Sequence, residues 1–250
     1  MIERRADGRH VVLRMAHGKA NVFDTGFLRG LSATLRAEAD AEAPALVLTG
    51  TGTIFSAGVD LKRMTEGGRG YLEEFLPALS ECLRTLFSLP LPVVAAVNGH
   101  AIAGGCMLAL ASDHRVMARG RGRIGVPELA VGVPFPWLGL EVVRFALPPQ
   151  HVQEAIYSGA TYDPDQALAR GFVDELAEES ALLARAGEVA ECMAAVPAIS
   201  FRMTKEALRR PVIEAFDRGA ATFERRILDA WSSEPVQAAV RAYVEKTLRR

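Results

Sequence analysis

Two uninterrupted apolar runs constrain the fold of this chain more than any other feature. They are Ala45-Leu46-Val47-Leu48-Thr49, ending at Gly50, and Pro92-Val93-Val94-Ala95-Ala96-Val97, stopped by Asn98-Gly99. A strand with one wet face alternates apolar and polar side chains, whereas a strand that is apolar throughout is covered on both faces. Two such strands with helical patterns between and after them predict an α/β core rather than a sandwich or a helical bundle. The chain has 250 residues, half of them apolar, which is enough to bury such a core within one sizeable unit and a small appendage.

The remaining pattern fits. Val11–Met15 reads as a short strand, and Phe27, Leu28, Leu31 and Leu35 recur at helical spacing after Asp24, a residue suited to an N-cap. Tyr71, Phe75, Leu79, Cys82, Leu83 and Leu86 form the stripe of a long amphipathic helix that closes before Pro90 and Pro92. From Gly104 the residues Cys106 to Ala111 are apolar all round, which predicts a buried helix, and Asp113 to Ala118 returns as a strand. A short helix is expected from about Trp137 to Pro148-Pro149. Asp163-Pro164-Asp165-Gln166 is a capping-box start with proline at the first helical position, and Gly171 supplies the stop. From Ala181 onward the pattern is helical, with breaks expected at Pro197, Pro211 and Pro235. The organisation this predicts is an α/β core over residues 1–195 and a helical region over 196–250.

Charge and cysteine content narrow the function. A formal net charge of −1 lacks the basic excess of a dedicated nucleic-acid binder. Cys82, Cys106 and Cys192 are too few and too widely spaced for a disulfide framework or a zinc site, and the histidines show no metal-ligand spacing. The most apolar stretch, Leu89 to Val97, is too short to span a bilayer, and the N-terminal residues lack the apolar run of a signal peptide. The expectation is a cytoplasmic protein that uses no metal, no membrane and no nucleic acid. Ser56 has no Gly-x-Ser-x-Gly surroundings, so a serine-hydrolase triad is not expected.

Two glycine-bearing segments and one carboxylate remain: Phe55-Ser56-Ala57-Gly58-Val59-Asp60-Leu61, then Val97-Asn98-Gly99-His100-Ala101-Ile102-Ala103-Gly104-Gly105-Cys106-Met107-Leu108, and Glu128 in Ile124-Gly125-Val126-Pro127-Glu128. Together with the tract from Asp163 to Leu176 these segments resemble the crotonase (enoyl-CoA hydratase/isomerase) superfamily over nearly the whole chain. The resemblance implies a spiral of ββα units with a C-terminal helical trimerisation region, giving a homotrimer or a dimer of trimers. It also implies an acyl-CoA thioester as substrate, with coenzyme A as part of that substrate and no further cofactor. By the same resemblance the N–H groups of Val59 and Gly104 form an oxyanion hole and Glu128 is the base. Ala57, Gly58, Asp60, Leu61 and Lys62 fall where the family binds the CoA moiety, with Lys62 and Arg63 available to its phosphates. Met107, Phe135 and Trp137 are expected to line the acyl pocket.

One departure bears on the reaction. Hydratases of the family carry a second glutamate three residues after the oxyanion-hole glycine, and here that position is Met107. Adding water needs one group to activate it and another to handle the α-proton, whereas shifting a double bond needs one base that removes a proton and returns it two carbons away. The pattern is therefore similar to the single-glutamate Δ3,Δ2-enoyl-CoA isomerases. The alternatives are an enoyl-CoA hydratase or other crotonase-type lyase, and a catalytically weak acyl-CoA-binding relative.

Overall fold

The computed structural model describes residues 2–248. Its strands are β1 (Ile2–Asp7), β2 (His10–Met15), β3 (Leu46–Thr49), β4 (Ile54–Ser56), β5 (Val93–Val97), β6 (His100–Ile102), β7 (His114–Ala118), β8 (Ile124–Gly125), β9 (Thr161–Tyr162) and β10 (Glu175–Ala177). Its helices are α1 (Thr25–Asp40), α2 (Leu61–Phe87), α3 (Gly104–Ala111), α4 (Glu128–Val131), α5 (Trp137–Ala146), α6 (Pro149–Ser158), α7 (Pro164–Arg170), α8 (Leu182–Met193), α9 (Ala198–Trp231) and α10 (Glu234–Leu248).

The strands form two sheets, ordered β1-β2-β3-β5-β7-β10 and β4-β6-β8-β9. The chain therefore visits the sheets in turn. β3, β5 and β7 lie side by side and parallel in the first, each followed by a short partner, β4, β6 or β8, in the second, and then by a helix, α2, α3 or α4. This is a spiral of ββα turns, as the resemblance implies. It places the ends of β4 and β6, and the start of α4, at neighbouring points of successive turns.

The apolar runs are explained by two cores. In β3, Leu46 and Leu48 belong to the main core, while Val47, with Ala45 just before the strand, packs with Leu182, Ala186 and Ala190 of α8 on the opposite side. In β5, Val93, Ala95 and Val97 alternate with Val94 and Ala96 in the same way. Period-two alternation persists, but with no wet face for a polar residue to occupy.

Polar side chains fasten the spiral's turns to one another. Asn98 Oδ1 accepts from Gly50 N at 2.9 Å and its Nδ2 donates to Gly52 O at 2.8 Å, so the turn after β5 grips the turn after β3. Buried Asn21, in the left-handed region at φ 47°, donates from Nδ2 to Ile54 O and Phe55 O. Ser56 Oγ donates to Asn21 O at 2.7 Å and accepts from Gly58 N at 3.1 Å.

Several helix expectations change. Pro211 lies inside α9 instead of ending it. A proline ring removes one i−4 hydrogen bond, and tertiary packing carries the helix through. On the residues before it, Lys205 and Arg209 are held in the core. α2 begins ten residues before Tyr71, with Asp60 capping it by accepting from Arg63 N, and turns at Gly68 (φ 55°, ψ −151°), a conformation suited to glycine. α9 and α10 then pack on α2, α4 and α5 of the same chain. Among the described residues no helix is long and apolar enough to cross a membrane.

Candidate active site

β4 and β6 deliver the two glycine segments to one place. Gly58 has φ 79°, and a Cβ there would lie 3.0 Å from Gly104 N and 2.7 Å from Ile102 O, so only glycine permits this approach. Phe23 bridges Val59 in parallel: Phe23 N donates to Gly58 O at 2.7 Å, and Asp60 N donates to Phe23 O at 3.1 Å. Successive N–H groups along an extended strand point in opposite directions, so this bridge leaves the Val59 N–H facing away from Phe23. Gly104 opens α3, where a first-turn N–H has no intrahelical acceptor and the helix dipole favours negative charge. Among the described residues neither the Val59 nor the Gly104 N–H donates to a protein acceptor.

Ala103, just before Gly104, holds φ 54° and ψ −122°, a region that ordinary side chains rarely adopt. Its N–H is tied to Gly125 O at 2.9 Å. The strained turn aims α3, and with it the Gly104 N–H. A methyl on Gly104 would meet Phe23 Cε2 at 2.7 Å, so even alanine there presses on the ring that positions Val59.

Both segments line a cavity of about 80 Å³ together with Glu128. Glu128 is the first residue of α4, is 5% exposed, and is the one carboxyl among the described residues lining this cavity. Its Oε2 is buried without a hydrogen-bond partner. Burial raises its pKa from 4.5 to about 8, opposed only weakly by its own backbone N–H. A desolvated carboxyl with no nearby cation holds its proton past neutral pH, and once ionised its carboxylate is a stronger base than an ordinary glutamate. α4 ends at Gly132 (φ 99°), where α10 packs so closely that a Cβ would meet Ala239 Cβ at 2.7 Å.

The expected residues divide into four groups. Glu128, Val59, Gly104, Ala57, Leu61 and Met107 share the cavity. Gly58 and Asp60 support it from behind, the first by close packing and the second as the α2 N-cap. Lys62 lies on the surface, 3.8 Å from Glu66, and Arg63 is held by Asp24 at 2.9 Å. Phe135 and Trp137 line a different, wider groove, where Trp137 stacks on Phe223 with ring centroids 4.3 Å apart. Met107 is fully buried and pressed against α5, where a Cβ on Gly139 would be 2.5 Å from its sulfur.

Sequence reading missed Trp231 and Tyr243, which reach the cavity from the end of α9 and from α10. Trp231 Nε1 donates to Pro134 O at 2.9 Å. The C-terminal helices thus cover the site of their own chain. No local pattern marks these two residues, because their role depends on a chain reversal more than a hundred residues from the glycine segments.

The family model described as Enoyl-CoA hydratase/isomerase matches residues 11–249. The chain belongs to this family, the crotonase superfamily. It is 30% identical over 210 residues to a short-chain-enoyl-CoA hydratase of Clostridium acetobutylicum, covering 84% of this chain and 80% of that one. It is 26% identical over 250 residues to the mitochondrial enoyl-CoA delta isomerase 1 of Rattus norvegicus, covering 98% and 86%. Among solved structures, a probable enoyl-CoA hydratase of Mycobacterium tuberculosis superposes with a TM-score of 0.81 at 30% identity, covering 100% of this chain and 99% of that chain. Human mitochondrial delta3-delta2-enoyl-CoA isomerase shares the fold with a TM-score of 0.94 at 24% identity, covering 99% and 98%. Family members with both reactions in their names are thus similar to this chain.

Proposed function

We propose that the chain is a Δ3,Δ2-enoyl-CoA isomerase. The observation that carries this reading is the pairing of Glu128, a buried carboxyl without a partner, with Met107 at the position where a second glutamate would stand. One base in an apolar chamber suits a proton that leaves and returns. An apolar thioether wall in place of a second carboxylate does not suit activation of water.

In this mechanism the thioester oxygen of a 3-enoyl-CoA accepts hydrogen bonds from the N–H groups of Val59 and Gly104. The Glu128 carboxylate removes a proton from C2. The electron pair spreads over C2, C4 and the thioester oxygen, where the two N–H groups stabilise the growing negative charge; one such donor is commonly worth about 10²–10³ in rate. The protonated carboxyl returns the proton to C4, leaving the double bond between C2 and C3, conjugated with the thioester. Proton and charge balance within the substrate and one side chain. The chemistry requires no cofactor beyond the CoA that the substrate carries. We also propose that the protein assembles as a homotrimer or dimer of trimers, and light scattering that gives a monomer would contradict this.

The test uses ultraviolet absorbance, since only isomerisation creates the conjugated thioester. The wild type converts 3-hexenoyl-CoA to the conjugated product and leaves 2-hexenoyl-CoA largely unhydrated. Rapid loss of the conjugated band from 2-hexenoyl-CoA, with 3-hexenoyl-CoA unchanged, would assign the chain to the hydratases instead.

A further inference from the structure

The Glu128 cavity, at about 80 Å³, is far below the roughly 300–1,000 Å³ of ordinary small-molecule pockets. Room of that size suits only a short acyl segment. A thioester bound at Val59 and Gly104 brings its acyl chain into this space, so the walls decide how long that chain can be.

One wall is a single layer of side chains. On α4, Glu128 and Val131 line the cavity while Leu129 faces outward, into a groove of about 750 Å³. In the following segment Val133 and Pro136 face in, and Pro134 and Phe135 face out. At the end of α9, Trp231 faces in, and Ile227 and Ala230 face out. Trp231 is the largest side chain in this partition and is 1% exposed. Its ring is fixed by the hydrogen bond to Pro134 O, and its own carbonyl accepts from Gln237 Nε2 at 2.7 Å. On the other side, Met107 is backed by Gly139 and cannot retreat. The indole therefore stands between the small cavity and a wide, largely apolar groove that could otherwise hold a longer chain.

We propose that Trp231 sets the acyl length: with its indole bonded to Pro134 O, the site takes short acyl thioesters of about four to six carbons and excludes longer ones, for which the partition would have to open. This rests on the reading of the Glu128 cavity as the acyl site, and it is independent of which reaction Glu128 performs.

The test separates binding from chemistry. Hexanoyl-CoA and decanoyl-CoA, both saturated and without a double bond to move, are titrated calorimetrically into the full chain, its Trp231→Ala variant and its Trp231→Phe variant. Conversion of 3-hexenoyl-CoA and 3-decenoyl-CoA is followed in parallel. The wild type binds hexanoyl-CoA at least tenfold more tightly than decanoyl-CoA. Trp231→Ala, which opens the partition, shifts that ratio at least tenfold toward decanoyl-CoA. Trp231→Phe, which keeps a ring but loses the N–H to Pro134, shifts it part of the way.

Wild-type protein that binds both equally, or decanoyl-CoA more tightly, would overturn the proposal. So would an unchanged ratio in Trp231→Ala with native circular dichroism or, if that variant does not fold, in Trp231→Phe. A length-dependent binding ratio without isomerisation of any 3-enoyl-CoA would leave the proposal standing and remove the isomerase reading. Isomerisation indifferent to length would do the reverse.

Discussion

Two carboxylates lie buried in this chain under opposite conditions. The side chain of Asp113, at the junction of α3 and β7, is 8% exposed and surrounded by donors: Val93 N at 2.8 Å, Lys205 Nζ at 2.6 Å and Arg209 Nη2 at 2.7 Å. Arg209 also donates from Nη1 to Phe87 O at the end of α2 and to Ala111 O at the end of α3, with its guanidinium carbon 4.3 Å from the Phe87 ring centroid. Cations at helix C-termini complement the dipoles there, so this cluster pins α9 to the ends of two core helices. Glu128 is also buried and has no cation beside it. The first site spends its charge on holding α9, and so Trp231, over the core. The second leaves its carboxyl without a partner and so free to take up and release a proton. Burial thus suits anchorage in one place and basicity in the other, and hydrogen-bond partners decide which.

The largest effect that tests this contrast is on turnover at Glu128. Glu128→Gln keeps shape and hydrogen-bonding groups but removes basicity, and kcat for 3-hexenoyl-CoA should fall by about 10²–10⁴. Circular dichroism should stay native. A fall of less than tenfold would show that another group carries the proton.

Asp113 should respond in the opposite way. Asp113→Ala leaves Lys205 and Arg209 buried without their counter-ion, and breaking such a cluster costs about 3–5 kcal/mol of stability in denaturant unfolding. Turnover by the fraction that remains folded should change far less than in Glu128→Gln. Little destabilisation, or a turnover loss as large as that of Glu128→Gln, would dissolve the distinction between anchor and base.

The pH dependence gives an intermediate effect. Glu128 holds its proton to about pH 8 in the folded chain, against 4.5 for an ordinary glutamate. The folded state therefore binds the extra proton between those values. The stability this contributes is full below about pH 4.5 and is lost as pH rises through about 8. Lys205, pushed by burial down to about 8 despite Asp113, titrates in the same region. The comparison to make is therefore the difference between Glu128→Gln and wild type, which cancels the lysine. The variant should gain melting temperature relative to wild type as pH rises from 5 to 9, and wild-type kcat/KM should climb through about pH 8. A flat profile in both measurements would mean that the carboxyl is not desolvated.

A smaller effect is expected at Ser56, which belongs to neither carboxylate but ties Asn21 to Gly58. Ser56→Ala removes the bonds to Asn21 O and Gly58 N, and should cost about 1–3 kcal/mol of stability with a modest loss of turnover. Unchanged stability would show that close packing around Gly58 positions Val59 unaided.

The anchor and the site differ in how far the sequence displays them. Strands β3 and β5 are legible because burial on both faces writes itself as a continuous apolar run. The Asp163 capping box and the Gly171 stop are equally local, and α7 lies between them. Glu128, Val59 and Gly104 could be named because each sits in a short segment resembling a family pattern. The Lys205–Asp113–Arg209 cluster joins residues more than ninety positions apart, and in sequence its members look like ordinary surface charges. The two- and three-residue strands β4, β6 and β8 are too short to show a period. Pro211 reads as a break because propensity is local, whereas the cluster that carries α9 past it is not. Lys62 was named from its position in a pattern, and its side chain lies on the surface beside Glu66.

The central claim is that one side chain moves the proton from C2 to C4. Its most direct test is the fate of a label. 3-Hexenoyl-CoA deuterated at C2 is converted by the wild type in ordinary water, and the product is examined by mass spectrometry and NMR for deuterium at C4. A single carboxyl in a small, buried cavity should return a measurable share of the deuterium to C4 before solvent exchanges it. Product with C4 hydrogen drawn wholly from water, at all extents of conversion, would contradict the account and require separate groups for removal and return.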